Sequence, residues 1–186
     1  MNKKLTAKEI AFCSLFASLT AVFSYIRIPL PFSPVPITLQ TLAVMLAGSL
    51  LPPKTALLSL IVYILMRIAG IPFFSLGTAG IGVLLGPAGG YIMSWPLAAY
   101  IIATLLKRGN ATFAKLLFSN VLGGIVIVYI IGTSHLAFVT GMDIISAITA
   151  GVLPFIPGDI AKAMLASFIA FSLRKNNIFQ RVLNSL

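Results

Sequence analysis

Asp159 and Lys162 are an acid and a base three residues apart, at the start of a stretch with the composition of a membrane-spanning helix, Pro157 to about Leu173. That spacing puts both side chains on one helix face, where they can meet. Ionised groups in such a segment are costly and by default mark a substrate or ion site. Asp159 is one of only three acidic residues in the chain. The competing reading is a structural ion pair that braces the end of the helix.

Seven further positions can join this pair, and most have a plainer alternative. Gln40 in Ile37-Thr-Leu-Gln-Thr41 reads as a ligand contact or as a partner for nearby loop backbone. Thr38 is a helix cap in this reading. Tyr91 and Trp95, four apart, form one aromatic face that walls a ligand or packs in the core. Gly89 and Gly90 open a helix where backbone N–H groups can approach a carboxylate. Asn120 lies near the middle of an apolar run and needs a partner there, first another helix and second a ligand.

Other chemistry is missing. No nucleophile stands with a base, no carboxylates are paired on adjacent segments, and His135 has no ligand-spaced neighbours, so no metal, cofactor or enzymatic activity is assigned. Gly86-Pro-Ala-Gly-Gly-Tyr91 lacks the Lys-Ser or Lys-Thr of a phosphate-binding loop, so ATP-driven work needs another chain. There is no evident inverted repeat. A small binding protein within the membrane is the leading reading; a self-sufficient secondary transporter or channel is the alternative, and a ligand-free membrane scaffold is a third.

The elements that position these residues follow from composition. Hydrophobic residues make up 59% of the 186 positions and charged residues 9%, against about 25% charged in a soluble domain. The expectation is one integral membrane domain over residues 1–186, all α-helical, with about six spans. They are placed at about Ala7–Ile28, Thr38–Leu51, Pro53–Gly70, Gly86–Leu106, Ala111–Gly132 and Pro157–Leu173. The first is read as retained and not a cleaved signal. Pro29, Pro31, Pro34 and Pro36 make the first loop extended and stiff, fit for a lid. Ile71–Leu85, with Phe73, Phe74, Gly77, Gly80 and Gly82, is too broken for a span and reads as a loop with a short or re-entrant helix. Arg67 reads as snorkelling to headgroups. Thr133 to Pro157, with Asp143, reads as a short helix plus a partly inserted segment.

The formal charge of +10 falls mostly on one side of this arrangement. Lys3, Lys4, Lys8, Lys54, Lys107, Arg108, Lys115, Arg174, Lys175 and Arg181 share a face with both termini, which makes that face cytoplasmic. The charge therefore needs no nucleic acid. The proline-rich loop and the starts of the fourth and sixth spans then converge at the outer face. The single cysteine, Cys13, excludes an internal disulfide. On the first span Ala7, Ala11, Ser14, Ser18 and Ala21, with Ala17 beside them, form a small-residue stripe open to its own helices or to a partner.

Three motifs, Pro29-Leu-Pro-Phe-Ser-Pro-Val-Pro-Ile-Thr-Leu-Gln-Thr41, Gly86-Pro-Ala-Gly-Gly-Tyr91 and Pro157-Gly-Asp-Ile-Ala-Lys162, together resemble the BioY family. These are biotin-specific S components of energy-coupling factor transporters, and the resemblance spans essentially the whole chain. It implies a six-helix S-component fold in the cell membrane and high-affinity capture of biotin at the outer side. It also implies transport only with a transmembrane coupling subunit and two cytoplasmic ATPase subunits. The small-residue face of the first helix would meet the coupling subunit through Ala7, Ala11, Ser14, Ala17, Ser18 and Ala21. Biotin, a transported ligand and not a cofactor, would give its ureido N–H to Asp159 and its carbonyl to Lys162. Tyr91, Trp95 and the lid would wall its thiophane ring. Its carboxylate would take N–H groups around Gly89 and Gly90, or an arginine.

Overall fold

The computed structural model describes residues 6–71, 80–107 and 111–176. Phe73, Phe74, Gly77, Lys3, Lys4, Arg108 and Arg181 lie outside them.

Helix α1 (Ala7–Phe23) begins with a reciprocal cap: the Thr6 hydroxyl accepts from the Glu9 N–H, and the Glu9 carboxylate accepts from the Thr6 N–H. It stops at Phe23, short of the Ile28 expected from hydropathy, because the next residues pair as strands. Strand β1 (Arg27–Leu30) and β2 (Ser33–Thr38) form an antiparallel hairpin, with Arg27 opposite Thr38 and Ile28 opposite Ile37. The prolines do hold this loop extended. A two-stranded ribbon has only edges, so it tolerates them, and the register shifts around Pro29.

Thr38 closes β2, and Leu39 takes the N-cap position of α2 (Gln40–Leu50) without a side-chain cap. The capping role expected of Thr38 is therefore corrected. Helix α2 is buried along nearly all of its length and packs against α1, α3 (Pro53–Ile68), α5 (Gly89–Leu106) and α9 (Ile156–Lys175). It is the centre of the molecule. Between α3 and α5 lies the short α4 (Gly82–Leu85).

Small residues let these helices close up. A Cβ on Gly48 would stand 2.7 Å from Ile102 Cβ, and one on Gly123 would stand 2.5 Å from Ile102 Cγ1. Ile102 of α5 is thus a knob seated between two glycines on different helices.

Helix α6 (Phe113–Val121) runs through a π-helical turn (Leu122–Ile127) into α7 (Val128–Thr140). The whole is one helical segment, Phe113–Thr140. Hydropathy placed its end near Gly132, but the helix continues through His135 and stops at Gly141, which adopts a left-handed conformation (φ 71°). Helix α8 (Ile144–Gly151) is capped by Asp143, which accepts from the Ile145 and Ser146 N–H groups. The Ser146 hydroxyl and N–H hold the Asp143 carboxyl below its ordinary range.

Gly89–Leu106, Phe113–Thr140 and Ile156–Lys175 are long and apolar enough to cross a membrane; α1, α2 and α3 are shorter. Large apolar side chains face outward, including Leu15, Phe118, Phe138 and Phe168. An apolar exterior over a core that hides Asn120, Gln40 and Asp159 is the arrangement of a membrane protein.

Candidate functional site

The start of α9 lies against the hairpin and the first turn of α2, and a cavity of about 410 Å³ opens beneath them. Asp159 and Lys162 do meet: Lys162 Nζ donates to Asp159 Oδ1 at 2.8 Å. Lys162 also donates to the Thr38 carbonyl at 2.7 Å and to Thr41 Oγ1 at 3.1 Å, so all three of its protons are engaged. Asp159 Oδ1 further accepts from Thr41 Oγ1 at 3.3 Å, and Oδ2 accepts from the Tyr129 hydroxyl at 2.7 Å. Two opposite charges, each wrapped in hydrogen bonds, are the form in which burial of ions is tolerated. Asp159 is 4% exposed.

Gln40 lines the cavity, but its amide nitrogen is committed to the Thr20 carbonyl and the Tyr63 hydroxyl. Tyr63 in turn accepts from Arg67 Nη1 at 2.6 Å. Arg67 is buried and lines the cavity; it does not reach out to headgroups. Its position in the last turn of α3 turns it inward, toward Tyr63 one turn earlier. Arg27, on the first pair of the hairpin ladder, lines the same space.

Aromatic walls come from α5. Tyr91 and Trp95 both line the cavity, with Trp95 packed at 5.7 Å from the Tyr63 ring. The Tyr91 hydroxyl donates to the Gly151 carbonyl at 2.8 Å and lies 3.2 Å from Thr133 Oγ1, which fixes the ring between α7 and α8. Trp95 Nε1 is buried without an acceptor among the described residues. Phe155, Val35 and Pro87 complete the apolar lining.

Three sequence candidates lie elsewhere. Gly89 and Gly90 are packing residues: a Cβ on Gly89 would stand 1.8 Å from the Leu84 carbonyl oxygen, and one on Gly90 would stand 2.2 Å from His135 Cβ. The Gly89 N–H is also spent on the Gly86 carbonyl at 2.9 Å. Asn120 is fully buried between helices, accepting from Ser49 Oγ at 2.9 Å and donating to Ser167 Oγ at 3.0 Å. It ties α2, α6 and α9 together and does not line the cavity. On α1 the stripe divides. Ala7, Ala11, Ser14 and Ser18 are exposed, whereas Ala17 and Ala21 are buried inside the chain's own fold.

Among the lining residues that the sequence does not mark as ligand contacts are Arg27, Thr41, Arg67 and Tyr129. Thr41 was within reach of inference, one residue past Gln40 and three past Thr38. Both arginines stand at element ends, where hydropathy reads them as boundary markers. Tyr129 carries no signal in its neighbours.

The cavity thus gathers three cations, Arg27, Arg67 and Lys162, against one carboxylate, Asp159, within aromatic and aliphatic walls. A helical, outwardly apolar chain folded around such a space is a membrane protein built on a small-molecule site. Residues 1–178 match the model of the BioY family. The chain is 40% identical over 172 residues to a "Probable biotin transporter BioY" of Pyrococcus horikoshii, covering 92% of this chain and 99% of that one. It is 38% identical over 162 residues to a "Probable biotin transporter BioY" of Bacillus subtilis, covering 86% and 87%. Its fold superposes with a TM-score of 0.87, at 28% identity, on a crystal structure described as the S-component for biotin from an ECF-type ABC transporter. That match covers 97% of this chain and all of the other. The chain belongs to the BioY family.

Proposed function

We propose that this chain is the high-affinity biotin-binding subunit of an energy-coupling factor transporter, capturing biotin at the outer membrane face. The observation that carries the reading is the Asp159–Lys162 pair set in the wall of the cavity. A cyclic urea presents an N–H donor beside a carbonyl acceptor, and the pair presents an acceptor beside a donor. Asp159 Oδ2 has one engaged partner, Tyr129, and keeps acceptor capacity for a ligand N–H. Lys162 reaches the ureido carbonyl by exchanging one of its three acceptors, of which Thr41 Oγ1 at 3.1 Å is the longest.

The surplus of cations supports an anionic ligand. Arg27 and Arg67 are the groups for the biotin carboxylate, and the packed Gly89 and Gly90 are not. Tyr91, Trp95 and Phe155 offer walls to the thiophane ring. A volume of about 410 Å³ falls within the ~300–1,000 Å³ of small-molecule sites.

Six spans with both termini cytoplasmic complete the arrangement, as the lysines and arginines demand. Transport then requires a transmembrane coupling subunit and two cytoplasmic ATPases, which carry out the ATP hydrolysis. The exposed Ala7, Ala11, Ser14 and Ser18 offer the coupling subunit a close approach. Proteoliposomes test this division of labour. Biotin uptake is expected only when the coupling and ATPase subunits and ATP are present. Uptake by this chain alone would replace the proposal with a self-sufficient transporter.

A further inference from the structure

The segment from α6 to α7 makes two side-chain hydrogen bonds to α9. Asn120 Nδ2 donates to Ser167 Oγ at 3.0 Å, and the Tyr129 hydroxyl donates to Asp159 Oδ2 at 2.7 Å. The helices run antiparallel between these contacts: α6 packs closely on α9 at Asn120, and the longer Tyr129 side chain reaches Asp159 across a wider gap. The residue counts differ: nine from Asn120 to Tyr129, eight from Asp159 to Ser167.

At about 100° per residue, nine residues of α-helix leave Asn120 and Tyr129 about 180° apart, on opposite faces. Eight residues leave about 80°, the offset between Asp159 and Ser167. In an uninterrupted α-helix with Asn120 turned to α9, Tyr129 would start from the face turned away from Asp159. The π-helical turn Leu122–Ile127 lies between the two residues. A π turn holds one residue more than an α turn, because its hydrogen bonds reach five residues back and not four. Across it nine residues rotate as eight do. Gly123 and Gly124 fill the turn where it presses on α5 and α2: added Cβ atoms would stand 2.5 Å from Ile102 Cγ1 and 2.7 Å from Met45 Cε.

We propose that Tyr129 is the positioning residue of the binding site, and that the π turn exists to aim it at Asp159. Its hydroxyl holds the Oδ2 edge of the carboxylate, while Lys162 and Thr41 hold Oδ1. The carboxylate is thereby fixed from α7, α2 and its own helix. A ligand donor meets an acceptor already oriented, without the cost of ordering it on binding.

Two readouts test this, one of which rests on the biotin reading and one of which does not. The chain has two aspartates, Asp143 and Asp159, so [13C]Asp labelling makes the Asp159 carboxylate stretch readable by infrared difference spectroscopy without ligand. Tyr129→Phe is expected to shift that band in folded protein and to weaken biotin binding about tenfold. In a cycle with Asp159→Asn, the double variant is expected to bind no more weakly than Asp159→Asn alone. A band that stays in place, or fully additive losses in the cycle, would overturn the proposal. Protein that shows the band shift but binds no biotin would overturn the biotin reading and leave the positioning role supported. Deletion of Gly124, which returns the turn to α register, is expected to reproduce the band shift of Tyr129→Phe. Folded protein with an unshifted band would remove the π turn from the account.

Discussion

Asp159→Asn removes the one negative charge of the cavity while nearly preserving its shape. In the native site Oδ1 accepts from Lys162 at 2.8 Å and Thr41 at 3.3 Å, and Oδ2 accepts from Tyr129 at 2.7 Å. An asparagine with its carbonyl toward Lys162 keeps the first two bonds. Its NH₂ then faces Tyr129, whose hydroxyl turns from donor to acceptor, so the fold survives. The ligand N–H then faces an NH₂ donor where Oδ2 had accepted, so it loses its acceptor outright. A hydrogen bond to a charged group contributes about 1.5–3 kcal/mol. Its loss is a roughly ten- to 150-fold rise in Kd. Calorimetric titration of purified protein measures it. Biotin methylated on the ureido nitrogen that faces Asp159 lacks the donor, so the same substitution should cost that ligand little. An unchanged Kd for biotin, or an equal loss for both ligands, refutes the assignment of Asp159 to the ureido group.

The arginines give a parallel test at the other end of the ligand. Arg27→Gln is expected to raise the Kd for biotin about tenfold or more, the scale of a charge-assisted bond, and to leave biotinamide, which has no carboxylate, nearly unaffected in the same titration. On α1, Ala11→Leu and Ser14→Leu change exposed positions. They should leave biotin affinity intact and abolish co-purification with the coupling subunit, whereas Ala17→Leu, at a 1%-exposed site, should lower stability by about 1–3 kcal/mol through overpacking. Gly132→Ala puts a Cβ 2.3 Å from Tyr91 Cδ1, so that cavity-lining ring must shift; weaker biotin binding is expected, and unchanged affinity would exclude Tyr91 from the ligand's wall. Asn120→Ala should cost stability, about 0.6–1.7 kcal/mol for an interhelical hydrogen bond in a membrane, with no change in Kd for the folded protein.

The helical membrane architecture was legible because apolar length and charge asymmetry are properties of single segments. The Asp159–Lys162 contact was legible for the same reason, since three residues on one helix share a face whatever surrounds them. The proline-rich loop was readable as extended, but its pairing of Arg27 with Thr38 was not, because pairing depends on a partner strand. Glycines misled: Gly89 and Gly90 look like a backbone cradle, yet they are required by the approach of Leu84 and His135. Arg27 and Arg67 look like interface residues because hydropathy sees only where a span ends, not which way the side chain turns. Tyr129 was beyond reach, since α-helical periodicity assigns it to the face opposite Asn120, and the π turn that lies between them has no signal in the sequence pattern.

The central claim is that this cavity holds biotin, and one titration tests it most directly. Purified, detergent-solubilised chain without partner subunits is titrated with biotin, following the fluorescence of Trp95, the one tryptophan in the chain and a lining residue of the cavity. The account predicts saturable binding of one biotin per chain at nanomolar concentration, weakened by Asp159→Asn and by Arg27→Gln. No saturable change up to micromolar biotin, confirmed by equilibrium dialysis with labelled ligand, would contradict it.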